Sequence, residues 1–195
     1  MGSSRAGKSQ SHDRIVRTAA ARFRQYGVDG IGVADIMKEA GFTHGGFYRH
    51  FGSREELVDE ATERALLDGG RAVDAIAGRA RASFAALVDA YASTRHRDDL
   101  ATSCAVTTLA SDVARCGPRA RAAYTRQVAK YLDSLVRLMR TRASGRSKRA
   151  RAIAALSMLV GAVSIARAVN DEALSREILR SAAAALKGEV GSLTA

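Results

Sequence analysis

A single proline, Pro118, stands in 195 residues, and apolar side chains return at steps of three and four for most of that length. A many-stranded sheet would bring alternating Val/Ile/Thr runs, and none is seen. Alanine and arginine abound instead, which favours helix. The chain is therefore expected to be all-α, with about nine helices.

The first helix is expected over 12–26. Ile15, Ala19 and Phe23 line its inner face, and Arg14, Arg17, Arg22 and Arg24 take the other faces. Gly27 ends it in a left-handed conformation. The second helix spans 33–40, with Val33, Ile36, Met37 and Ala40 inward, and Gly41 makes the tight turn after it. A third covers 44–50, capped by Thr43. Ser53-Arg54-Glu55-Glu56 is a capping box: the serine serves the N3 amide, Glu56 reaches back, and a fourth helix begins at 54. Gly69-Gly70 is expected to kink that helix before it resumes to 78. A fifth helix over 82–94, a charged loop over 95–101 and a sixth helix over 102–115 follow. Pro118 opens a seventh helix that reaches about 141. Ser144-Gly145 breaks the chain, and an eighth helix continues to about 169. Asn170-Asp171 caps a ninth over 172–187, and nothing beyond Gly188 is expected to be ordered.

The formal net charge is +11 and the sequence pI about 10.4. A chain this basic attracts polyanions, nucleic acid foremost. Cys104 and Cys116 are twelve apart and fit no metal-ligand spacing. They are expected to be reduced thiols of a cytoplasmic protein, a redox-sensing thiol being the alternative. No metal or other cofactor is expected. The polar, basic N-terminus has no apolar leader segment. The uncharged run 152–166 falls short of the ~20 residues a membrane helix needs and is read as a buried helix.

Nothing points to an enzyme: there is no nucleophile elbow and no carboxylate pair in context. Residues 1–11 are expected to be a disordered basic tail, although Gly2-Ser3-Ser4-Arg5-Ala6-Gly7-Lys8-Ser9 matches the P-loop pattern. That pattern works only between a strand and a helix, and no strand is expected before Gly2. A basic arm brushing DNA phosphates is the functional alternative to a mobile tail.

The stretch Gly41–Gly52 concentrates Phe42, Phe47, Tyr48 and Phe51 with two of the four histidines, His44 and His50. A helix entering a major groove about 12 Å wide needs small residues where its backbone approaches the bases, and Gly45-Gly46 supplies them. Thr43 and His44 sit at the N-terminal end, where the helix dipole favours anions. Tyr48 and His50 can donate to phosphates, and Arg49 is long enough for a bidentate contact to guanine. Phe47 and Phe51, four apart, anchor the helix on the two before it.

These residues carry a resemblance. Ile15, Ala19, Phe23 and Gly27, then Val33, Ile36 and Ala40, then the string Gly41–Phe51 with Arg54, Glu56 and Leu57 resemble the DNA-binding domain of the tetracycline-repressor (TetR/AcrR) family. The resemblance implies a helix-turn-helix domain over 12–53 and a ligand-binding and dimerisation domain over 54–188. It implies that Thr43, Tyr48 and His50 hold phosphates, that His44, Gly45 and Arg49 read bases, and that Arg54 holds a further phosphate. Gly32 departs from the family, which usually has a capping serine or threonine there.

The partners implied are double-stranded operator DNA, a second copy of the chain and a small-molecule effector. The homodimer would form through the eighth and ninth helices, with Leu156, Val160, Val163, Leu174 and Ile178 at the interface. The effector pocket would involve Phe84, Tyr91, Tyr124, Tyr131 and Met139, and the absence of a carboxylate pair or His cluster there suggests a mostly apolar ligand. The expected function is a ligand-responsive repressor of a palindromic operator. A nucleoid-like protein binding DNA by charge alone is the alternative.

Overall fold

The computed structural model describes residues 5–78, 83–139 and 145–191, and every regular element among them is a helix. Helix α1, Arg5–Tyr26, begins two turns earlier than expected. Nothing in 5–11 breaks a helix that the apolar stripe downstream has already nucleated, and the Ser11 hydroxyl donates to the Gly7 carbonyl at 2.9 Å. The described part of the expected tail is therefore ordered. Gly7, Lys8 and Ser9 are helical, so the P-loop-like string forms no phosphate-cradling loop; residues 1–4 lie outside the described residues. Ile15 and Ala19 are fully buried and Phe23 nearly so. Gly27 takes φ +79° and donates to the Phe23 carbonyl at 2.8 Å.

Arg24 corrects the sequence reading. It is buried rather than solvent-facing, and its Nε donates to the Ala101 carbonyl at 2.6 Å while Nη1 donates to the Ala65 carbonyl at 3.2 Å. Burial lowers its pKa, with Asp68 and Asp99 nearby opposing the shift. Position 24 follows Phe23 and lies one turn beyond Ala20, so its long side chain threads inward and carries its charge to two carbonyls.

Helix α2, Val33–Glu39, is followed by Gly41 at φ +79°. The third element, η1, His44–Arg49, is a 3₁₀ helix of six residues. Helix α3, Arg54–Ala77, begins at the expected capping box. The Glu56 amide donates to Ser53 Oγ at 3.2 Å, but the Glu56 carboxylate takes the amide of Gly52, at 2.6 Å, rather than that of Ser53. The helix runs through Gly69 and Gly70 without interruption.

The body is completed by α4, Phe84–Tyr91; α5, Thr94–Asp98; α6, Ala105–Thr108; α7, Ala110–Val113; α8, Pro118–Leu138; α9, Gly145–Ala168; and α10, Glu172–Gly191. Three expectations change. The charged stretch after residue 94 is mostly helix, because Ser93 caps it through the His96 amide at 3.1 Å. The expected sixth helix is two short ones that break at Leu109, φ −111°. The last helix continues past Gly188 to Gly191, capped as expected by Asp171 through the amides of Ala173 and Leu174. Residue 82 of the expected fifth helix, and residues 140 and 141 of the expected seventh, lie outside the described residues.

The core is built around α3, which packs on α1 and on α8, while α9 lies against α8 and α10. The two glycines of α3 mark the crossing with α8. A side-chain carbon at 70 would stand 2.8 Å from Gln127 Nε2, and one at 69 would stand 3.0 Å from Tyr131 Oη. These residues are glycine for close approach, not for a kink. Helix α9 is long and apolar enough by composition to cross a membrane, yet it is buried on one side only. Ala152, Ala155, Leu159, Val163 and Ala166 face the bundle, while Ile153, Met158 and Ile165 face outward. Its apolar circumference therefore does not mean burial within the protomer.

Two outcomes follow for stability. Arg24→Leu removes both hydrogen bonds, leaving the part-buried Ala101 carbonyl without this donor, and is expected to cost about 1–3 kcal/mol, read as a lower midpoint in urea. Gly70→Ala raises helix propensity, ordinarily a gain of about 0.5–1 kcal/mol. Here the amide tip of Gln127 must shift to admit the methyl group, so that gain is expected to be offset and the melting temperature to stay close to that of wild type.

Candidate nucleic-acid interface

Element η1 is fastened from beneath by two phenylalanines. Phe47 and Phe51 are each 2% exposed, and their rings stack at 5.3 Å between centroids. The opposite side is open. Tyr48 is 73% exposed, a large figure for an aromatic residue on a well-packed domain. Its ring stands edge-on to Phe47 at 5.3 Å, so the phenol is presented outward on a fixed base. Thr43, His44 and Arg49 are exposed beside it. Thr43 occupies the N-cap position with φ −79° and ψ 152°, but its side chain makes no cap hydrogen bond, and the expected cap is not formed.

The glycines of η1 have no conformational explanation inside the molecule. Neither Gly45 nor Gly46 has a positive φ. Nothing lies within 4 Å of where a side chain at 45 would begin, and at 46 the neighbours are Met37 Cε and Thr43 Oγ1 at ordinary contact distances of 3.6 and 3.7 Å.

Two expected contacts sit differently. His50 is only partly exposed, with its ring 5.8 Å from Phe42 and 6.1 Å from His12, and its Nδ1 is buried without a partner. Its pKa is lowered, chiefly by burial and then by the charges of His12, Lys8 and Arg49. It is packed into the head, where burial and the neighbouring charges disfavour its cationic form. Arg54 is engaged within the chain: its Nη2 donates to the Val28 carbonyl at 2.7 Å and to Asp29 at 3.1 Å. It pins the α1–α2 connector to the start of α3, where the sequence reading gave it a phosphate.

Two residues of α1 escaped the sequence reading. His12 stacks on Phe51 at 4.5 Å and meets Glu60 at 2.7 Å, and Arg14 lies over the Phe42 ring at 4.4 Å. The sequence signal was the surplus of aromatics in 42–51, each needing a neighbour; which neighbour is settled only by the way α1 crosses behind η1.

The residues expected to line an effector pocket divide. Tyr91 joins Gly69, Val73, Leu87, Ala90, His96, Thr102 and Cys104 around a cavity of about 80 Å³, and Tyr131 borders an adjoining space of about 20 Å³. Phe84 and Met139 are buried and line neither, and Tyr124 donates its hydroxyl to the Val106 carbonyl at 2.8 Å. The cavity wall is more polar than expected. His96 donates Nδ1–H to the Tyr91 carbonyl at 2.7 Å and accepts the Cys104 amide at Nε2 at 3.2 Å. That pairing requires the neutral ring, and burial lowers its pKa in the same sense. Burial, with Cys104 adjacent, raises the pKa of Tyr131.

Of the residues expected at a dimer interface, Leu156 and Val163 are buried within the protomer. They belong to its own core because they fall on the side of α9 that packs into the bundle. Leu174 is exposed, and Val160 and Ile178 are partly so. Ile153, Met158 and Ile165 extend that open surface along α9. Neither the sequence spacing nor the composition distinguishes the two sides, since both are apolar.

Residues 15–61 match the family model described as bacterial regulatory proteins, tetR family. No curated protein matches the chain in sequence. Among solved structures, a TetR-family transcriptional regulator from Cytophaga hutchinsonii is 17% identical, covers 93% of this chain and 95% of its own, and gives a TM-score of 0.76. The reduced form of NemR from E. coli is 17% identical over 92% of this chain and 96% of its own, at 0.74. A TetR transcriptional regulator from Chloroflexus aurantiacus is 22% identical over the same shares, 92% and 96%, at 0.74. At these identities the likeness along the body is one of fold, while the head is matched in sequence. The head, residues 15–61, thus matches the tetR family of bacterial regulatory proteins, and the body shares the fold of solved TetR-family regulators.

Proposed function

We propose that the protein represses transcription as a homodimer on a palindromic operator and is released by a small-molecule effector. The observation that carries this reading is the open side of η1: exposed Tyr48, Thr43, His44 and Arg49 over a buried Phe47–Phe51 base. Thr43 and Tyr48 would hold phosphates, with His50 as a neutral donor beside them. His44 and Arg49 would read base edges, and Gly45 would let the backbone come close. Two copies of η1 would enter successive major grooves, ~34–36 Å apart.

The outward face of α9, with Leu174 and Ile178 of α10, would meet the same face of a second copy. An apolar surface of this kind on a helix pair fits a two-fold, self-complementary contact. Gly161, with nothing within 4 Å of its position, would let the two α9 helices approach.

For release, α3 is the connecting rod. Arg54 lies at the head and Gly69 at the cavity wall, about 22 Å apart at 1.5 Å per residue. The cavity of about 80 Å³ is smaller than the ~300 Å³ of a typical ligand site. A ligand would have to part α3 from α4 and α8 to enter, which moves the rod and with it the head. The shift in DNA affinity is bounded by the ligand's preference for the opened state. Val73, Leu87 and Tyr91 favour an apolar ligand body; His96, Thr102 and Cys104 suit one polar group.

A footprint on the DNA upstream of its own gene tests the central claim. A discrete palindrome is expected; uniform protection would show binding by charge alone and sink the repressor reading. Tyr48→Ala is expected to weaken operator binding at least tenfold, about 1.4 kcal/mol, with the melting temperature unchanged. The dimer face is tested by Ile165→Glu in sedimentation: wild type should run as a dimer and the variant as a monomer. Equal masses for the two would rule that face out.

A further inference from the structure

The fold disposes of the arginines of α1 unequally. Arg17 is paired with Asp13 at 3.1 Å and Arg22 with Glu39 at 2.6 Å, and Arg24 is buried on two carbonyls. Arg14 is exposed, and no carboxylate pairs with it among the described residues. Yet it is not a loose surface side chain. Its guanidinium carbon lies 4.4 Å from the Phe42 ring centroid, within the range of a cation–π contact. Its terminal nitrogen lies so near Gly41 that a side-chain carbon there would come within 3.4 Å of it. Gly41 therefore supplies both the φ of +79° that turns the chain and the space in which Arg14 rests.

The place matters as much as the charge. Phe42 is followed at once by Thr43 and His44, the exposed start of η1, and its ring is 5.8 Å from that of His50 at the other end. Arg14 thus sits on the aromatic platform that holds both ends of the reading element. An exposed guanidinium with one face on a ring and no counterion among the described residues has donors left for an anion outside the protein. The planar fork takes a phosphate through two N–H groups. Residue 14 precedes the segment 15–61 by which the head is matched to its family, and the sequence reading left it without a role.

We propose that Arg14 is a DNA-backbone contact, a phosphate hook set by Phe42 and Gly41 at the turn of the helix-turn-helix. The proposal rests on the reading of the head as DNA-binding. It extends the interface from η1 onto α1 and adds one positive charge per protomer to the contact with the duplex.

Fluorescence anisotropy across a salt series tests it, with two duplexes: one carrying the footprinted upstream palindrome, the other of random sequence. Arg14→Gln is expected to weaken binding to both, because a phosphate contact is blind to sequence. The slope of log K against log salt should become shallower by about 0.9 for each protomer bound. Arg14→Lys should keep the slope, having kept the charge, while losing affinity with the planar fork. A lost helix contact alone would move the melting temperature and not the salt slope. An Arg14→Gln protein with the wild-type slope and affinity would overturn the proposal. Wild type that binds random DNA as well as the palindrome would instead overturn the repressor reading and leave the Arg14 comparison intact. Wild type that binds neither duplex would overturn both.

Discussion

The crossing of α3 over α8 is the contact on which the other arrangements depend. Gln127 and Tyr131 approach Gly70 and Gly69 so closely that a side-chain carbon at either glycine would force one of their tips to shift. This fixes where α3 lies in the body. Because α3 is continuous from Arg54 to Ala77, it also fixes where the head begins. At the far end the capping box closes α3 onto Gly52 and Ser53, directly after the Phe47–Phe51 stack. A displacement at the crossing therefore has no soft segment in which to dissipate before it reaches η1.

Helix α1 is the second tie between head and body, and it works through polar contacts rather than volume. Arg24 takes carbonyls from both α3 and the α5–α6 connection. At its other end His12 is held between Phe51 and Glu60, and Arg64 of α3 reaches Asp13 at 2.8 Å. The exposed pairs among these contribute little each. The Arg24 bonds matter more, since the guanidinium is buried and would lose both of its carbonyl partners. The head is thus held on α3 by packing and indexed on it by hydrogen bonds, an arrangement that resists rotation of one helix about the other.

Much of this was legible in the sequence, and the exceptions have physical causes. Gly27 and Gly41 were readable as left-handed residues because a helix must end before a turn can begin. Phe47 and Phe51 were readable as anchors because a spacing of four puts two rings on one helical face. Arg24 and Arg54 were misplaced for a common reason: arginine reads as solvent-facing by type, but its reach lets the fold spend it on carbonyls that only tertiary structure brings near. Leu156 and Val163 went to the wrong side of α9 because an all-apolar helix carries no periodicity to say which face is inward. Gly69-Gly70 was misread as a kink because local sequence cannot show that another helix crosses there. Arg14 was overlooked because its partner, Phe42, is near it only once α1 and the turn are packed together.

The same distinction explains why the reading element was legible and the effector was not. Duplex DNA offers every such head the same groove width and the same phosphate spacing. A solution to that shape is short, local and repeatable, and it is written in one stretch, Gly41–Gly52. The cavity is assembled from α3, α4 and the segment 96–104, and its residues share no spacing that a sequence motif could hold. Its volume of about 80 Å³ is below that of a typical ligand site, so under the proposed mechanism its shape when occupied would depend on how far α3 yields at the Gly69-Gly70 crossing. Under the proposed release mechanism, specificity for an effector would reside partly in the stiffness of that contact, a property of Gln127 and Tyr131, rather than wholly in the residues a ligand would touch.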